Sequence, residues 1–155
     1  MDARPILVNA YWVHYLLAFG KGEFDPSGAP KDDPPAPIPA RYWPGDTEPA
    51  EATDYEWSEW EVSSIIKAGG IKAVDLLADL VAAAPTDAAL GYLGAGPVED
   101  LVNWYGPAVA HGLDAAIRRE PRLSLALDGV RVGTEELEST HLPRRLLRTE
   151  GCLAT

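Results

Sequence analysis

An all-α fold is predicted, an irregular bundle or short array of antiparallel helices with a long proline-rich insertion after the first helix. Val8, Tyr11, Trp12, Tyr15, Leu16 and Phe19 recur at helical spacing and form one continuous aromatic face. From Thr53 onward, helix-start and helix-stop residues punctuate the chain at short intervals: Thr53 with Glu56, Gly69-Gly70, Thr86, Gly96-Pro97, Gly106-Pro107 and Glu120-Pro121. Between Asp25 and Pro49 stand eight prolines, with little apolar besides Ile38, Tyr42 and Trp43, so no regular element is expected there. The 155 residues are read as a single helical domain, 1–155, with 21–52 as a proline-rich irregular segment within it.

The aromatic face of the first helix is core, and the proline-rich segment is extended chain laid over the protein through Tyr42 and Trp43. Thr53 and Glu56 have capping-box spacing for a helix running to about Lys67, which Gly69-Gly70 ends. The next helix carries Ile71, Val74, Leu77 and Val81 on one stripe and stops before Pro85, after which Thr86 caps a short helix to about Leu93. Pro97 is placed to occupy the first position of a following helix, where its missing N–H costs nothing. Glu99 then falls at the third position, within reach of the capping residue's N–H and at the positive end of the dipole, with Asp100 beside it. Val98, Leu101, Val102 and Tyr105 form the stripe of that helix; Gly106-Pro107 opens another, with Val109, Leu113, Ala116 and Ile117. Leu123 to Val132 alternates around Asp128-Gly129 as a hairpin would, but an isolated hairpin is marginal. A helix from Pro121 that buries Leu123, Leu127 and Val130 and ends near Gly129 is the preferred reading. The tail from Thr134, with Leu137, Leu142, Leu146 and Leu147, is expected to add helical turns.

From about Ile71 to Val130, and above all through Gly94, the run Gly96-Pro97-Val98-Glu99-Asp100-Leu101 and Tyr105-Gly106, the chain resembles a family of small bacterial all-helical proteins of unknown function. Members of that family carry a Gly-Pro-Leu-Glu-Asp-Leu type motif after a helix preceded by a Trp-containing segment. Val98 stands in place of the usual Leu, and Arg122-Leu123 where such proteins often have an aromatic. The resemblance implies a helical fold, favours helix over hairpin after Pro121, and brings no activity with it.

Net charge is −11 and unevenly spread: residues 1–100 hold 17 acidic and 6 basic side chains, residues 101–155 hold 7 of each. Asp46 to Glu61 is densest, with seven acids and no Lys or Arg. Such a balance argues against binding nucleic acid or an anionic membrane, both of which need a basic footprint, and permits a basic protein partner. Ile6 to Phe19 is too short to span a bilayer and carries Asn9 and His14; it lacks the cleavage site of an export signal. Cys152 is the only cysteine, so no internal disulfide is possible, which suits a cytoplasmic location.

Catalytic constellations are not legible, and no cofactor or metal is expected. Ser64-Ile65-Ile66-Lys67 fits a Ser-x-x-Lys pattern, but its companion motifs are absent. Gly91, Gly94 and Gly96 follow a helix instead of a strand and read as turn glycines. His14, His111 and His141 are far apart, and His111 with Asp114 one turn away reads as a surface hydrogen bond. Asp75 and Asp79 share a helix face at a spacing that could hold a divalent cation, yet solvated like charges are the ordinary case.

The sharpest functional feature is the helix around Glu56, Trp57, Glu59 and Trp60. At about 100° per residue, Trp57, Trp60 and Ser64 fall on one side and Tyr55, Val62 and Ile66 nearly opposite, so two apolar faces are separated by carboxylates. Either the proline-rich segment roofs the Trp side, or Trp anchors in an acidic rim form a hot spot for a basic protein. The leading expectation is a non-enzymatic binding module, such as an immunity- or antitoxin-type inhibitor of a basic partner. The rivals are a small-molecule-binding protein or small enzyme, with a pocket between the aromatic first helix and the central helices lined by Glu99 or His111, and a structural homodimer built on the Trp side.

Overall fold

In the computed structural model, residues 3–19, 37–128, 130–132 and 148–149 are described. They form α1 (Arg4–Phe19), α2 (Glu56–Ala68), α3 (Gly70–Ala82), α4 (Asp87–Leu93), α5 (Glu99–Arg119) and α6 (Leu123–Leu127). Single 3₁₀ turns lie at Ala40–Tyr42 and Ala52–Tyr55, and a π turn at Gly94–Val98 joins α4 to α5. A short parallel pair, β1 (Arg131–Val132) and β2 (Arg148–Thr149), matches Arg131 with Arg148 and Val132 with Thr149. The all-α architecture is as the punctuation predicts. His141, Cys152 and the leucines of the tail lie outside the described residues.

The spine is α1. Its Pro5 falls in the first turn, where no intrahelical N–H is needed, and Tyr11, Trp12, Val13 and Tyr15 are fully enclosed. Trp12 meets Tyr11 and Tyr15 edge to face at 5.1 and 5.6 Å between ring centroids. Tyr92 of α4 enters the same cluster 4.9 Å from Tyr15 and 5.1 Å from Phe19, distances at which aromatic rings attract beyond their buried area.

The C-terminal end of α3 is where distant parts of the chain are tied together. A helix end leaves carbonyls without intrahelical donors. There Ala83 N–H donates to Asp79 and Ala84 N–H to Val81, so the Leu80 carbonyl accepts instead from the Trp12 indole N–H, at 2.9 Å. The Tyr42 hydroxyl donates to the Ala83 carbonyl, and Arg122 Nη1 reaches that of Val81 at 3.3 Å. Tyr42 and Ile38 are buried, so the described part of the proline-rich stretch docks through the aromatics expected to hold it, with one 3₁₀ turn where none was expected.

Gly69 and Gly70 separate α2 from α3 with φ of 71° and 74°, a left-handed corner that only glycine adopts without strain. A Cβ on Gly69 would also lie 2.9 Å from the Tyr105 ring, whose hydroxyl donates to the Lys67 carbonyl at the end of α2. Thr86 caps α4 as predicted, its Oγ1 accepting from Ala89 N–H at 3.2 Å. The helical reading after Pro121 also holds, with Leu123, Leu127 and Val130 buried.

Other local expectations are corrected. Thr53 and Glu56 form no capping box, because Thr53 lies inside the 3₁₀ turn and α2 is entered from Tyr55 without a side-chain cap. Ile71 is 62% exposed, since the buried stripe of α3 centres on Ala73, Leu77 and Leu80 and Ile71 falls on its far side. Gly91, Gly94 and Gly96 are helical residues, not turn glycines, because the chain passes from α4 into α5 without leaving helical geometry. Pro97 and Glu99 likewise open no fresh helix: Val98 already has φ −69° and ψ −45° and offers no side-chain cap. Pro107, by contrast, does stand where a new helical segment begins: the Tyr105 backbone (φ −133°, ψ 18°) is not helical, so α5 is two helices joined at a kink, with Pro107 in the first turn of the second.

Candidate functional site

Two features of α2 stand on opposite sides of one helix. Ser58, Val62 and Ile66 are buried, whereas Trp57 and Trp60 point outward with 45% and 73% of their surface exposed. Glu56 and Glu61 are exposed with them. The described part of the proline-rich stretch, residues 37–52, does not roof Trp60 at that exposure; the rest of the stretch lies outside the described residues. The fourth predicted residue, Glu59, turns away from the rim: its Oε1 lies 3.0 Å from the Tyr92 hydroxyl, which donates to it, and 3.2 Å from His14 Nδ1.

Glu59 thereby enters the wall of a cavity of about 340 Å³ between α1, α2 and the junction of α4 with α5. Tyr11 comes from α1, Val62, Ser63 and Ile66 from α2, Tyr92 from α4 and Asp100 from α5, with Ala95, Gly96 and Pro97 of the π turn as the remaining wall. That turn is wide for a physical reason. Pro97 cannot donate to the carbonyl four residues back, and the register expands, Glu99 N–H donating to the Gly94 carbonyl five residues back. Gly96 and Pro97 therefore shape the cavity, and Asp100 lines it one turn later. Glu99, adjacent in sequence, is not among the lining residues.

The electrostatics are acidic. Among the described residues no Lys, Arg or His lines the cavity, and two carboxyl groups do. Burial pushes the Asp100 carboxyl above its ordinary value. Burial first, and then the Glu59 charge and its hydrogen bond, hold the Tyr92 phenol well above its ordinary range. Tyr11 is raised in the same direction, chiefly by burial and next by Glu59. The Tyr11 hydroxyl is fully enclosed and, among the described residues, has no hydrogen-bond partner. Buried polar groups in folded proteins are nearly always paired, so this one marks a place with unmet bonding capacity.

The remaining candidates are structural. Asp75 pairs with Arg119 at 3.4 Å and Asp79 with Arg4 at 3.2 Å, so each carboxylate of that face has its own guanidinium. Asp114 accepts from Arg118 at 2.8 Å in place of His111, which is exposed and not part of the cavity wall. Ser64 and Lys67 are exposed. A pocket does lie between α1 and the central helices, but its polar groups are Tyr11, Glu59, Tyr92 and Asp100 instead of Glu99 or His111. Tyr11 and Tyr92 went unnoticed as site residues because an aromatic at helical spacing reads as core, which both also are.

The arrangement defines an all-helical protein with a tryptophan-bearing acidic face and, beneath it, a small acidic cavity. Residues 46–140 match a family of unknown function (DUF6869), and the chain belongs to that family. The matched span holds α2 to α6, extends beyond the 71–130 of the sequence resemblance, and leaves out α1 with Tyr11 and His14. No curated protein matches the chain. No solved structure matches it either. Among the described residues, no helix is long and apolar enough to cross a membrane.

Proposed function

We propose that this protein is a non-enzymatic binding module that docks a basic protein on the outer face of α2, through Trp57 and Trp60 with Glu56 at the rim. The exposure of the two indoles, one turn apart on one helix, carries the reading. Large aromatics in a desolvated centre dominate the energetics of many interfaces, and each indole also keeps an N–H to offer. Charge selects the partner. Seven acids and no Lys or Arg stand between Asp46 and Glu61 in the sequence, and Glu56 and Glu61 are exposed on the same helix as the indoles; negative charge of this kind steers a basic surface toward them and repels an acidic one. An inhibitor that neutralises a basic toxin is the most concrete form of this reading, acting in the cytoplasm as a monomer until it meets its target.

Affinity capture from the source cell tests it with wild-type protein, Trp57→Ala/Trp60→Ala and Glu56→Lys. The expected result is one basic protein retained by the wild type, lost from the double alanine variant and weakened in Glu56→Lys, with melting temperatures unchanged because the replaced side chains are exposed. Equal recovery of the same protein by all three overturns the docking face. A wild-type dimer in light scattering that becomes monomeric in the double variant would mean that the indoles serve self-association, and would overturn the basic partner.

A further inference from the structure

We propose that the cavity walled by Tyr11, Glu59, Tyr92, Asp100 and the Gly96-Pro97 turn is a binding site for a small organic cation carrying an ammonium or guanidinium group. Five observations converge on this ligand class. The cavity volume of about 340 Å³ falls at the lower end of the range that holds small molecules. Its charged lining among the described residues is two carboxyl groups with no basic residue, so a cation meets opposite charge there and an anion like charge. The carboxyl groups differ in preparation. Glu59 is held in place by Tyr92 and His14, which engage the same oxygen, Oε1, and leave Oε2 without a hydrogen bond among the described residues. No ion pair among the described residues engages Asp100, although it is partly buried.

The Tyr11 hydroxyl is the independent pointer to a ligand. Trp12, Tyr42, Trp43, Tyr92 and Tyr105 all donate hydrogen bonds, whereas Tyr11, a lining residue of the cavity, has none among the described residues. A phenol oxygen can accept from an ammonium or guanidinium N–H. The rings of Tyr11 and Tyr92, 6.4 Å apart and inclined at 43°, give the cation aromatic surface as well as charge. A hard metal ion is a poorer match, because it demands a shell of several oxygens, and no group of three or more His, Cys, Asp or Glu gathers among the described residues.

The full-length protein is titrated with methylguanidinium and n-butylammonium, with urea and n-butanol as neutral counterparts and Mg²⁺ as the metal, following the backbone amide NMR signals of Ser63, Gly96 and Asp100. Saturable shifts are expected with the two organic cations only. Glu59→Gln and Asp100→Asn should each weaken binding by about tenfold, the scale of a lost charge-assisted contact, and Tyr11→Phe by a smaller factor. Ala95→Trp, at an exposed rim position, should block entry with the fold intact and keeps the test decisive if a carboxyl variant misfolds. Absence of saturation, equal response to the neutral probes, occupancy by Mg²⁺ instead, or wild-type affinity in the carboxyl variants or in Ala95→Trp each overturns the proposal. Trp60→Ala leaves cation binding unchanged, so loss of the docking face and loss of the cavity site are read separately.

Discussion

Replacing Tyr11 by Phe removes one oxygen from the centre of the protein, and its effect on stability should have the opposite sign to the usual one. A buried tyrosine that hydrogen-bonds normally loses about 1 kcal/mol or more on conversion to Phe. Here the hydroxyl is enclosed without a partner among the described residues, so the folded state already bears the desolvation cost, on the order of 1–3 kcal/mol for an unmet group. The ring and its contacts with Trp12 and Tyr92 remain. Tyr11→Phe should therefore gain roughly 1 kcal/mol, a rise of about 2–4 °C in Tm for a chain of this size. Tyr92→Phe is the control, because its hydroxyl donates to the Glu59 carboxylate at 3.0 Å; that variant should lose about 1.5–3 kcal/mol. Urea unfolding followed by tryptophan fluorescence measures both, read at constant m so that a change in midpoint is a change in stability. A loss of about 1 kcal/mol or more in Tyr11→Phe would show that the hydroxyl is satisfied, and would remove the unmet group from the argument for the cavity.

Trp12→Phe keeps an aromatic ring in the core but strips the donor from the Leu80 carbonyl, so urea melts should show a loss of at least about 1–3 kcal/mol for the stranded acceptor; a neutral outcome would mean that the end of α3 has another donor. Gly69→Ala forces a Cβ onto a residue at φ 71° and within 2.9 Å of the Tyr105 ring, and should cost more than about 1 kcal/mol, whereas unchanged stability would contradict the tight corner. Tyr11, Tyr15 and Tyr92 all hold their protons above the ordinary value of 10.0, so the stability they contribute is fully present below that pH and is lost as pH climbs past it toward their folded-state values. Phenolate absorbance from Tyr11, Tyr15 and Tyr92, isolated by comparison with their Phe variants, should accordingly appear only as helical circular dichroism is lost; its full development with the helices intact and at the ordinary value would refute this.

The legible parts of the fold were those governed by neighbours in sequence. The stripe of α1, the Thr86 cap and the Gly69-Gly70 corner each follow from local backbone chemistry, and local chemistry decides them. Gly96-Pro97 was misread because a proline that starts a helix and a proline that forces a wide turn inside one obey the same local rule; what distinguishes them is that α4 runs straight into the turn. The place of the cavity, between α1 and the central helices, is one the rival reading names; its polar lining was beyond reach for a different reason. Glu59 meets His14 and Tyr92 across 45 and 33 residues, and nothing in the vicinity of Glu59 distinguishes a rim carboxylate from one turned inward. The outer face of α2 was legible because spacing at about 100° per residue fixes which side chains share a side, while the 73% exposure of Trp60 depends on where other parts of the chain pack.

Amide hydrogen exchange of the full-length protein, alone and saturated with the basic partner recovered by capture, tests the docking reading most directly. Slowed exchange confined to α2 and the preceding turn, Ala52–Ala68, and abolished in Trp57→Ala/Trp60→Ala, is the predicted result. Protection confined to α3, α5 or α6, with the segment around Trp57 and Trp60 exchanging as it does in the free protein, would contradict it.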